Sequence, residues 1–118
     1  MAVTKKCTFT GPSTGLTIYC TIQRAKDNAY LDSDFKFRET PTAANQAMTE
    51  LTCGATANQT YQFSNGTYAW EDGVHYVTVY LQAGAGAAFD TDTIIGLATL
   101  YLYHDEIVPL PFSLSQEV

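Results

Sequence analysis

The sequence predicts an all-β fold: a single antiparallel β-sandwich, Ig-like or jelly-roll-like, of seven to eight short strands with an extended C-terminal arm. Three observations predict it. Threonine and tyrosine are abundant, and turn-forming residues recur at short intervals. Two segments, residues 16–25 and 74–83, alternate apolar and polar side chains with period two. The length of 118 residues with 46% hydrophobic content suits one domain with one core. The whole chain, 1–118, reads as that domain: an N-terminal strand or arm over 1–13, a core over 14–107 and an arm over 108–118. No internal repeat or linker interrupts it.

Residues 3–10 form the first expected strand. "TGPSTG" breaks it with Gly11, Pro12 and Gly15. In "LTIYCTI" the residues Leu16, Ile18, Cys20 and Ile22 share one face, expected to be the core face, and Thr17, Tyr19, Thr21 and Gln23 the other. "AKDNAYLDSD" turns the chain, and "FKFRE" gives a third strand with Phe35 and Phe37 on one side. Residues 41–54 admit two readings: one or two helical turns, or a loop ending in a short strand at 48–53. Residues 60–64, 74–83 and 93–104 are the remaining strands. "AGAGAAFDTDT" between the last two is a loop of small residues.

The stretch "TYAWEDGVHYVTVYLQ" concentrates Tyr68, Trp70, Tyr76 and Tyr80 around a Glu71-Asp72-Gly73 turn, where Gly73 is free to take positive φ. Rings at a strand corner fill the end of a sandwich core. A carbohydrate-binding platform would instead present rings side by side on one exposed face. For that alternative the ligand face is Tyr19, Tyr76, Tyr80, Tyr101 and Tyr103.

Composition narrows the function classes. A net charge of −6 opposes non-specific nucleic-acid binding and an anionic membrane surface. No apolar run approaches the ~20 residues of a membrane span, and "MAVTKKCTFTGPS" has no apolar region of a signal peptide. Neither nucleic acid nor membrane is therefore an expected partner. The cysteines Cys7, Cys20 and Cys53 are odd in number and form no C-x-x-C pair. They fit synthesis in a reducing cytosol, with Cys20 a small buried hydrophobe.

The search for chemistry returns no constellation. His75 and His104 lie in expected strands, without a nucleophile elbow beside them. They would be metal ligands only if paired strands brought them together. "DNAYLDSD" and "DTD" offer Asp27, Asn28, Asp32, Asp34, Asp90 and Asp92, oxygen ligands that suit Ca²⁺. Neither run has the glycine and terminal glutamate of a calcium loop, and solvated turns explain both. Asn58-Gln59-Thr60 and Asn65-Gly66-Thr67 match the glycosylation sequon and read as turns. No enzyme activity and no cofactor or metal are expected.

The tail "EIVPLPFSLSQEV" is the unusual feature. Pro109 and Pro111 forbid an ordinary central strand, so an extended, irregular arm is expected. Its apolar residues must bury against their own sandwich or against a neighbouring subunit. Val108, Pro109, Leu110, Pro111, Phe112 and Leu114 are the candidate partner-binding residues.

Four segments, "TGLTIYCTIQRAKDNAYLDSDFKF", "MTELTCGATANQTYQFS", "YAWEDGVHYVTVYLQAG" and "DTIIGLATLYLYHDEIVP", together resemble a family of small phage virion β-sandwich domains. The resemblance covers most of residues 14–108. It departs from the family at Asp27-Asn28, where "DG" is usual; asparagine tolerates the left-handed backbone that glycine would take. What the resemblance implies is a structural virion protein without catalysis. The expected role is capsid decoration, or cementing, of a phage head, with tail or baseplate accessory function as the alternative. The expected partners are the major capsid protein or other virion proteins. The expected state is a dimer or trimer, located in virions assembled in the host cytoplasm.

Overall fold

The computed structural model describes residues 2–51 and 59–108. Among them there is no helix. Nine strands form: β1 (Lys5–Thr10), β2 (Ile18–Arg24), β3 (Tyr30–Leu31), β4 (Phe37–Arg38), β5 (Gln46–Glu50), β6 (Thr60–Asn65), β7 (Gly73–Leu81), β8 (Thr93–Tyr103) and β9 (Glu106–Val108). All pairings are antiparallel, in the order β1-β6-β5-β2-β7-β8-β9, with β3 on β2 and β4 on β3. The all-β sandwich reading holds, as a sheet folded over until it almost closes.

The fold line is β5. Its Gln46, Ala47 and Met48 pair with Cys20, Tyr19 and Ile18 of β2, while Thr49 and Glu50 pair with Gln62 and Tyr61 of β6. One short strand therefore belongs to both layers. The layer β1-β6 closes over the layer β2-β7-β8. Between them lie Cys7, Tyr61 and Phe63 from one side, and Ile18, Cys20, Ile22, Val77, Val79 and Leu102 from the other.

Sequence periodicity places most of these residues correctly. Ile18, Cys20 and Ile22 are buried, as the alternation predicts, and Leu16 packs partly buried at the core edge just before β2. The opposite face of β2 departs from expectation. Tyr19 and Thr21 are also buried, because loops cross over that end of the sheet. Residues 41–54 contribute β5, not a helix, over their described part. The expected strand 35–39 shrinks to two residues, since Phe35 takes a positive φ of 67° that breaks the extended backbone.

Val108, expected as the first residue of the arm, is placed differently. Glu106–Val108 is a regular strand, so Val108 belongs to the sheet. A two-residue turn makes this possible. His104 and Asp105 both have positive φ (50° and 63°), the twist a tight hairpin needs. Pro109, Leu110, Pro111, Phe112 and Leu114 lie outside the described residues, as does Cys53. Gly73 and Asn28 take the left-handed conformations expected of them, with φ of 119° and 60°.

Candidate docking face

Side-chain direction alternates along a strand, so the two faces of β7 and β8 can be read from the register. His75, Val77 and Val79 face the core opposite Leu100, Ala98 and Gly96. Val74, Tyr76, Thr78 and Tyr80 point outward, beside Tyr101, Thr99, Leu97 and Ile94. Ile95 is one extra residue in β8, accommodated as a bulge where the register shifts between Val79 and Tyr80.

This outer face carries no charged residue on β7 or β8, in a chain with 12 acidic and 6 basic side chains. It is also uncovered in its middle. Leu97 is 77% exposed and Ile94 53%. Tyr76 and Tyr103 are also exposed, further along the same face. Isolated exposed apolar residues are ordinary, but neighbouring ones on an uncharged sheet mark an interaction surface.

Among the described residues the outer edge of β8 is only partly paired. β9 pairs only with residues 101–103, and no described strand pairs with residues 93–100 on that side. Proteins usually guard a free edge with lysine or proline. The free edge of β1 has the exposed Lys6; β8 has no charge and no proline from Thr93 to Tyr103.

The five tyrosines of the carbohydrate alternative do not form one exposed row. Tyr19 is 2% exposed and leaves the set. Its ring is stacked on Tyr80 at 4.9 Å and 9°, and Phe89 closes edge-on over both. Its hydroxyl donates to Asp92 Oδ2 at 2.7 Å. Burial, then the Asp92 contact, pushes the Tyr19 hydroxyl well above the ordinary tyrosine range. Tyr80 is half-buried, and its hydroxyl too is raised, chiefly by burial. Tyr76, Tyr101 and Tyr103 sit towards the other end of the sheet, with Tyr101 half-buried and Tyr103 edge-on to His104 at 4.1 Å. A cleft does open beside Tyr80, between Phe89 and the segment containing Glu39 and Pro41. Tyr30, Tyr80 and Phe89 line it together with Thr21 and Ala44, so of the five tyrosines only Tyr80 contributes.

Trp70 is buried as a corner of the core. It stacks on His75 at 5.7 Å, meets Phe37 edge-on at 5.5 Å, and lies under Lys5 Nζ at 5.0 Å. His75 Nδ1 is 3.1 Å from Gly73 O, which assigns the proton to Nδ1 and leaves Nε2 buried without a partner. Burial holds its pKa below the ordinary histidine value. His104 lies in the exposed β8–β9 turn, its backbone N–H donating to Asp72 Oδ1 at 2.8 Å. The two histidines do not converge.

The acidic residues have structural work that turn propensity does not reveal. Asp32 accepts N–H bonds from Ser33, Thr42 and Ala43, and these hold its carboxyl far below the ordinary range. Asp92 accepts from Tyr19, Ala83 and Ala88, ordering the loop between β7 and β8. Both are buried, where the sequence suggested solvated turns. Their lone pairs are occupied by protein donors. Among the described residues no group of three His, Cys, Asp or Glu side chains could hold a metal ion. Asn65 is buried at the end of β6, out of reach of glycosylation.

No family model, curated protein or solved structure matches the chain.

Proposed function

We propose that this chain is a non-catalytic structural protein that docks on another protein through the outer face of β7 and β8. The role we assign is the one its sequence resemblance implies: decoration of a phage head, with the major capsid protein or another virion protein as partner, and dimers or trimers as its own assembly state. Tail or baseplate attachment would use the same surface. The observation that carries the reading is the uncharged face on which Leu97 and Ile94 stand exposed. Such a face gains most by losing water, and in an acidic chain it is where two proteins can approach without charge repulsion. Rigid tyrosines at its border add contact area at low entropic cost. The carbohydrate alternative has less support, because its rings are split between a buried stack and a separate exposed group.

Cosedimentation with parent capsids stripped of the chain tests this. The unaltered chain should bind. Leu97→Lys and Tyr76→Lys each put a charge on the face without touching the core, and each should weaken binding by about ten-fold or more. Unchanged binding by both variants, or no binding by the unaltered chain, overturns the reading.

A further inference from the structure

We propose that the cleft beside Tyr80 is a guanidinium site, and that its occupant is an arginine side chain presented by the protein on which this chain docks. The inference rests on the docking reading for its partner. Tyr80 pairs with Ile94, so the cleft adjoins one end of the uncharged face of β7 and β8.

Three rings line the cleft from three parts of the chain. Tyr30 stands at the start of β3, Tyr80 near the end of β7, and Phe89 in the loop between β7 and β8. Phe89 meets Tyr80 at 5.5 Å and 61°, so these two rings form a corner and not a flat platform. Thr21 is buried, and its side chain is hydrogen-bonded to the Tyr80 hydroxyl. The space is about 300 Å³, at the small end for a ligand site, and it suits one side chain.

Charge selects that side chain. Glu39 is the one charged residue lining the cleft among the described residues. Its carboxylate is exposed and has no hydrogen bond or ion pair among them. Arg38, next to it in sequence, is turned to Asp32 and Asp34. None of the six basic residues of the chain lines the cleft, so a cation for Glu39 comes from outside. Rings attract a cation through their negative faces, and a carboxylate takes two N–H donors from a guanidinium. An ammonium holds its water more tightly and offers no planar fork, so arginine fits this corner better than lysine. The net charge of −6 draws a cation towards the chain from a distance.

Both walls are held in place without a ligand. Asp32 accepts N–H bonds from Thr42 and Ala43, fixing the segment that carries Glu39, Pro41 and Ala44. Asp92 accepts from Ala88 N–H, and Ala88 O accepts from the N–H groups of Thr91 and Asp92, which fixes the backbone around Phe89. The two buried carboxylates thus shape the cleft. A site built in advance loses little ordering entropy when it is filled.

Nuclear magnetic resonance on the full-length chain is the test, with N-acetyl-arginine methylamide as the probe. Its neutral citrulline counterpart, similar in shape, is the control. The arginine probe should shift the ring signals of Tyr30, Tyr80 and Phe89 to saturation, and bind at least about ten-fold more tightly than the control. Glu39→Gln should weaken the arginine probe by about ten-fold and leave the control unchanged, with the amide signals of Ile22 and Val77 reporting an intact fold. No saturable ring shift up to about 100 mM probe overturns the proposal, as does equal binding of the two probes. Tighter binding of tetramethylammonium or of glucose also overturns it, by assigning the cleft to a quaternary ammonium or a sugar. Cosedimentation with stripped parent capsids tests the partner: Glu39→Lys should weaken it by about ten-fold, and unchanged binding overturns that assignment. Capsids do not enter the probe titration. If the unaltered chain fails to cosediment, the docking reading falls with the assigned partner, while the ring shifts still decide whether the cleft takes a guanidinium.

Discussion

Lys5 Nζ lies 2.6 Å from Asp105 Oδ1, a buried ion pair between the start of β1 and the β8–β9 turn. It joins two segments that no ladder among the described residues pairs directly. Asp105 also accepts N–H bonds from Val3 and Trp70, each at 2.7 Å, and Lys5 also donates to Tyr68 O at 2.9 Å. Burial alone would raise the Asp105 carboxyl. The Lys5 bond, the two backbone donors and the Lys5 charge outweigh it, and the pKa is held below the ordinary value.

Asp105→Ala should therefore cost about 3–5 kcal/mol, since it leaves a buried ammonium and two buried N–H groups unpaired. Urea denaturation of the variant checks this. A loss under about 1 kcal/mol would mean that solvent reaches the pair. Replacing both partners by apolar residues should recover part of the loss, because the desolvation cost of both charges is removed with them.

Acid should weaken the fold in two stages. His75 has a folded pKa below its ordinary 6.5, so the unfolded chain binds its proton first. Its contribution is complete above pH 6.5 and is lost as the pH falls below that value. Asp32, Asp92 and Asp105 are likewise depressed from 3.8. Their contribution is complete above pH about 4 and is lost on further acidification. His75→Phe should flatten the first stage and leave the second. Thermal melts from pH 8 to pH 3 would show it, and a first stage unchanged in the variant would locate that titration elsewhere.

Gly96 is a close approach between the two layers. A Cβ there would stand 2.6 Å from the Phe9 ring and 3.3 Å from Val79 Cβ. Gly96→Val should destabilise the chain by about 1–3 kcal/mol through overpacking, even though valine favours strands. Gly96→Val with Phe9→Ala should recover much of that loss if the contact is the cause. Chemical melts of the single and double variants decide it.

The sandwich was legible because its central strands alternate. "LTIYCTI" shows which residues face inward; "VHYVTVYL" shows only that two faces alternate, and the expectation that rings fill the corner holds for Trp70 but not for the exposed Tyr68 and Tyr76. What sequence could not supply was set by contacts across the fold. Asp32, Asp92 and Asp105 look like solvated turn residues, yet each is buried by donors brought from other segments, some of them a hundred residues away. The tyrosines gave a similar mismatch. Parity put Tyr76 and Tyr80 on one face, but showed neither the pairing of Tyr80 with Tyr19 nor the loop that covers both with Phe89. The candidate docking face did have a signal, an eleven-residue strand without a charge or proline, "TIIGLATLYLY". That signal reads as plain core until the register shows that Leu97 and Ile94 face outward.

The Tyr19–Asp92 contact should control the loop between β7 and β8. Asp92 takes its three bonds from Tyr19, Ala83 and Ala88, and so ties both ends of that loop to a ring in β2. The Tyr19 hydroxyl is its side-chain donor, and the pairing holds the Asp92 carboxyl below its ordinary range. Tyr19→Phe keeps the 4.9 Å ring stack on Tyr80 and removes one hydroxyl, so its effect isolates the hydrogen bond. It should cost about 1–2 kcal/mol. The loss should appear first as faster amide exchange at Ala83 and Ala88, with the β2–β7 ladder still protected. Uniform loss of protection across both strands would instead mean that the loop and sheet open together. No change at either amide would show that the hydroxyl does not anchor the loop.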